Sequence, residues 1–71
     1  MGRDYARIFG NNVYEQLNSK NILLDDFANY MGYTLTETMQ LVDGNLMVSI
    51  QDMNKIANYL NINIVELSRI K

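Results

Sequence analysis

Leu24-Asp25-Asp26-Phe27-Ala28-Asn29-Tyr30-Met31-Gly32-Tyr33-Thr34 decides how the rest of the chain is read. Met31 follows Phe27 by four residues and Ala28 by three, which predicts one apolar stripe on a short helix over 24–31. Asp25 and Asp26 sit in its first turn, where the helix dipole favours negative charge. Leu23 stands where a Ser or Thr cap is expected, so this helix begins without one. Gly32 accepts positive φ and stops it. Thr34-Leu35-Thr36-Glu37 then reads as a capping box that opens a further helix at once.

The same grammar extends outward. The helix begun at Thr34 runs to about Asp43, and Gly44 ends it. Ser49-Ile50-Gln51-Asp52 reads as a second capping box, for a helix with Ile50, Met53, Ile56, Ala57 and Leu60 inward and Asn61 as a left-handed end. Asn63-Ile64-Val65-Glu66 opens a last helix with Ile64, Leu67 and Ile70 apolar. Before the central stretch, residues 5–19 place Tyr5, Ile8, Phe9, Val13 and Leu17 at helical steps, with Gly10 an interruption. Five short helices with short links predict an all-α fold and a single domain over residues 1–71.

Composition narrows the function. The 71 residues contain no Cys, no His and no Pro. No disulfide, Cys-ligated metal or histidine base is possible, and no cofactor or metal site is expected. No apolar run is long enough to span a membrane, and MGRDYARIFG lacks the apolar region of a secretory signal. The chain reads as a small cytoplasmic binding domain, not an enzyme, with no small-molecule ligand. Its net charge of −2 hides an uneven layout. Arg3, Arg7, Lys20, Lys55, Arg69 and Lys71 are the only cations, so Asn21 through Asn54 contains none. That stretch carries Asp25, Asp26, Glu37, Asp43 and Asp52, and a partner that docks there should be basic or at least not anionic.

The central stretch resembles the helix-turn-helix of phage Cro and cI-type repressors. Ala28 and Gly32, four apart, match that family's most constrained positions, and Phe27, Met31, Tyr33 and Leu41 fall where it places apolar core residues. The resemblance continues without a gap over roughly residues 9 to 68. It implies a compact five-helix domain in which the helix after Gly32 would read DNA. Thr38 lies where the family buries Ile or Val, and its hydroxyl is expected to bond back to the carbonyl of Thr34.

The reading chemistry departs from that family. Leu24 replaces the polar residue, often Gln, that usually begins the first helix of the motif, and the outward positions of the second carry Leu35, Thr36, Met39, Gln40 and Asp43. Only Thr36 and Gln40 offer base-edge hydrogen bonds, and no side chain suits a bidentate contact to guanine. No cation lies where phosphates would approach. Leu35, Met39 and Val42 share one helical stripe. Either they are core, or they form with Leu24, Leu46 and Met47 an exposed patch rimmed by Asp25 and Asp43.

The second alternative gives a partner-binding set of Leu24, Asp25, Leu35, Thr36, Met39, Gln40, Asp43 and Met47. The size, the acidic scaffold and the N-terminal segment resemble the small modulator-of-repression proteins of temperate lactococcal phages. That resemblance implies a phage repressor's DNA-binding domain as partner, in the cytoplasm of the bacterial host, with DNA binding by this chain alone weak or absent. The alternative is a Cro-like DNA-binding repressor that reads through Thr34, Thr36, Gln40 and Asn45 and holds phosphates with Arg7, Lys20 and Lys55. A third reading makes the apolar stripe the interface of a homodimer.

Overall fold

The computed structural model describes residues 2–69, with side chains over 4–69. Ile70 and Lys71 lie outside the described residues, as does the side chain of Arg3. Among the described residues the fold is all-α, in the order α1 (Gly2–Ser19), α2 (Leu24–Met31), α3 (Leu35–Val42), α4 (Ile50–Leu60) and α5 (Ile64–Leu67). None of these helices is long and apolar enough to cross a membrane.

Four of the five helices end by one device. A residue one or two positions past each end takes a left-handed φ: Asn21 at 57°, Gly32 at 76°, Gly44 at 83° and Asn61 at 57°. Its N–H and that of the next residue then turn back onto the last helical carbonyls, as in Gly32 to Asn29 (3.3 Å) and Tyr33 to Ala28 (2.9 Å). Three of these stops are legible in the sequence; Asn21 is not among them. Around Gly32 there is open space where a Cβ would stand, so glycine is there for its φ alone.

The helix starts differ from one another. Thr34 and Glu37 form the full reciprocal capping box of α3. Ser49 caps the Asp52 N–H at 3.1 Å, but the reciprocal bond expected from the Asp52 carboxylate is not made. That carboxylate instead accepts from the Tyr33 hydroxyl at 2.8 Å, tying the α2–α3 link to the first turn of α4. Burial, together with this bond and the charge of Asp52, pushes the Tyr33 hydroxyl pKa well above the ordinary tyrosine value. Asn63 caps Val65 at 3.1 Å. Leu23 makes no side-chain cap for α2, as its type requires.

The core joins Phe9, Val13 and Leu17 of α1 to Phe27 and Met31 of α2, Leu41 and Val42 of α3, Met53, Ile56 and Leu60 of α4, and Leu67 of α5. Removing a phenyl ring such as Phe9 or Phe27 from such a core costs about 3–5 kcal/mol. Ile50 corrects the sequence expectation: it is 68% exposed although it shares the inward stripe of α4. Side chains lean toward a helix's N-terminus, so a residue in the first turn points past the end of the packed surface. Thr38 is fully buried and its hydroxyl donates to the Thr34 carbonyl at 3.0 Å, the bond expected for it.

Gly10 is also a correction. It does not interrupt α1, which runs unbroken from Gly2 to Ser19. A Cβ there would stand 2.0 Å from the Leu41 carbonyl oxygen and 3.2 Å from the Gly44 nitrogen. Glycine therefore lets α1 lie directly on the end of α3. Gly44 meets α1 from the other side, where a Cβ would come within 2.6 Å of the Arg7 Cα.

Candidate functional site

The first turn of α2, the outer side of α3 and the second half of α1 surround a shallow groove. One part of it, about 450 Å³, is lined by Asn11, Tyr14, Leu24, Met39, Val42 and Asp43. A second part of about 430 Å³ shares Tyr14, Leu24 and Met39 with the first and adds Leu35, Asp25, Leu23, Ile22 and Asn18.

The stripe of Leu35, Met39 and Val42 divides between the two alternatives left open by its spacing. Val42 is buried in the core, whereas Leu35 is 48% and Met39 50% exposed. Helix α3 turns Thr38 and Leu41 inward, and a stripe centred on them leaves Leu35 and Met39 at the solvent margin. Leu24 and Leu46 are half-buried against the core.

Of the residues singled out in the sequence, Leu24, Asp25, Leu35, Met39 and Asp43 come together in the groove. Thr36 and Gln40 are exposed on α3 but do not line it. Met47 is exposed in the link before α4 and is likewise outside the lining. The contribution of α1 is not legible in the sequence. Tyr14, Asn11 and Asn18 enter because α1 crosses α3 at Gly10, and Tyr14 lies one helical turn beyond that crossing.

The groove is acidic. The two ion pairs among the described side chains, Arg7–Asp4 at 3.3 Å and Arg69–Glu66 at 3.5 Å, involve neither Asp25 nor Asp43. Arg7 packs its backbone and stem near Gly44, but its guanidinium turns to Asp4. Lys55 of α4 lies over the Tyr30 ring, 5.3 Å from its centroid, and Tyr30 stacks in turn on Tyr59 at 4.3 Å. No group of three or more carboxylates suited to a metal ion occurs among the described residues. No protein-family model matches the chain, and no curated protein matches it.

Proposed function

We propose that this chain is a Cro/cI-type helix-turn-helix domain turned to protein binding: an antirepressor that engages the DNA-binding domain of a phage cI-type repressor and alters its DNA occupancy. The observation that carries the reading is the outer face of α3, where Leu35 and Met39 stand half exposed between Asp25 and Asp43 with no cation in residues 21–54. Apolar and acidic side chains in the place of a DNA-reading helix repel phosphates and complement a basic protein face. Methionine suits such a surface because its flexible thioether adapts to an irregular partner. The buried Ala28, the left-handed Gly32 and the immediate capping box of α3 support the helix-turn-helix frame.

The test is a mobility shift on the operator DNA of the adjacent repressor at about 50 mM salt, where electrostatic binding is strong. This chain alone should leave the DNA unshifted, and with the repressor it should change the repressor's band. Sequence-specific retardation by this chain alone would overturn the reading in favour of a Cro-like repressor.

A further inference from the structure

We propose that the groove between α1 and α3 receives one aliphatic or aromatic side chain flanked by two cations on a partner helix, with Tyr14 as its principal binding residue. The inference rests on the protein-binding reading above. It adds α1 to a face otherwise made of α2 and α3, and it states the chemistry of the segment that enters.

Three features specify the occupant. The two parts of the groove share Tyr14, Leu24 and Met39, so its middle is a junction of one aromatic and two flexible apolar side chains. An apolar anchor gains most at such a junction, because its side chain leaves water against apolar groups on several sides at once. Each part then carries its own carboxylate, Asp43 in the first and Asp25 in the second, and neither carboxylate belongs to an ion pair among the described residues. The remaining polar lining, Asn11 and Asn18, is neutral. An anion would meet two carboxylates and no cation. A segment with cations on either side of an apolar residue meets a complementary group at each point. A helix presents such a row when the three side chains recur at one-turn intervals.

Tyr14 is 44% exposed and lines both parts of the groove with Met39. Tyrosine is among the residues that most often dominate binding energy, since it supplies a large contact area with few rotatable bonds.

The experiment follows the amide signals of the full-length, isotope-labelled chain during titration with a capped helical peptide displaying Arg, Leu and Arg at one-turn intervals. Shifts should centre on Tyr14, Leu24 and Met39. Replacing the peptide's Leu by Ala should weaken binding about tenfold or more, and replacing both Arg by Glu should abolish it. In parallel, the repressor's DNA-binding domain is titrated against the wild type, Tyr14→Arg and the control Asp26→Asn, whose position lies outside the groove lining. Tyr14→Arg should weaken binding by at least about 30-fold, the scale of an aromatic hot spot, with unchanged helical circular dichroism. Asp26→Asn should bind as the wild type.

Equal binding of the repressor domain by the wild type and Tyr14→Arg, with the groove signals unmoved by peptide, would overturn the groove proposal and leave the antirepressor reading standing. Peptide entry without any binding of the repressor domain would do the reverse. Self-association that Tyr14→Arg abolishes, with the peptide silent, would make a second copy the occupant and overturn the proposal.

Discussion

The two edges of α1 meet the rest of the molecule in opposite ways. On one edge Tyr5 and Asn12 are tied to the C-terminal segment. The Asn12 side-chain amide, itself buried, donates to the carbonyls of Leu67 at 2.9 Å and Arg69 at 2.8 Å. The Tyr5 and Ser68 hydroxyls share a bond of 2.9 Å. On the other edge, Gly10 brings α1 against α3 by backbone contact, and one turn later Tyr14 stands open beside Met39 and Asp43. The first edge is committed to holding the fold together. The second leaves Tyr14 and Met39 half exposed, beside an Asp43 that joins no ion pair among the described residues.

The contrast can be broken most severely at Gly10. Helix propensity alone predicts that Gly10→Ala stabilises α1 by about 0.5–1 kcal/mol. The clash with the Leu41 carbonyl should outweigh this, for a net loss of about 2 kcal/mol and a fall in Tm on the order of 10 °C. Thermal unfolding followed by circular dichroism checks it; a raised Tm would show that the helices do not touch there.

On the satisfied edge, Asn12→Ala leaves two carbonyls without their donor and should cost about 2 kcal/mol. Amide exchange should quicken first in α5, and a uniform change across the chain would contradict a local role for the Asn12 bonds to Leu67 and Arg69. A smaller effect is expected at Tyr33. Its folded-state pKa is raised, so its contribution is present below about pH 10, where the unfolded tyrosine keeps its proton, and is lost as pH rises beyond that. Tyr33→Phe should lower stability at neutral pH by about 1 kcal/mol and make the alkaline decline shallower. Denaturant titrations at pH 8 and above measure both.

Met39→Glu sharpens the contrast by doing least to the fold. On a half-exposed position it should change stability by under about 0.5 kcal/mol and abolish repressor binding. A collapse of the helical signal would place Met39 in the core.

Legibility in the sequence follows the same division. Local signals were readable: the left-handed ends at Gly32, Gly44 and Asn61, the Thr34–Glu37 box, and the Thr38 back-bond all depend on residues within a few positions of each other. What depends on one helix crossing another was not. Gly10 reads as a weak point in a helix when its neighbour is unknown, and as a contact once Leu41 is set against it. Leu35 and Met39 could not be separated from Val42 by period alone, because a stripe does not say where the buried arc ends. Tyr14 gave no signal as a binding residue, since its companions come from α2 and α3. In the sequence Asp52 has the place of a capping partner, and only the fold shows that Tyr33 competes for it.

The missing methyl at Gly10 has one more effect. Because α1 and α3 are in backbone contact there, the walls of the groove one turn away cannot close or spread without separating two helices. The backbone of the cleft is thus preorganised, and the adjustment left to a ligand falls to side chains such as Met39.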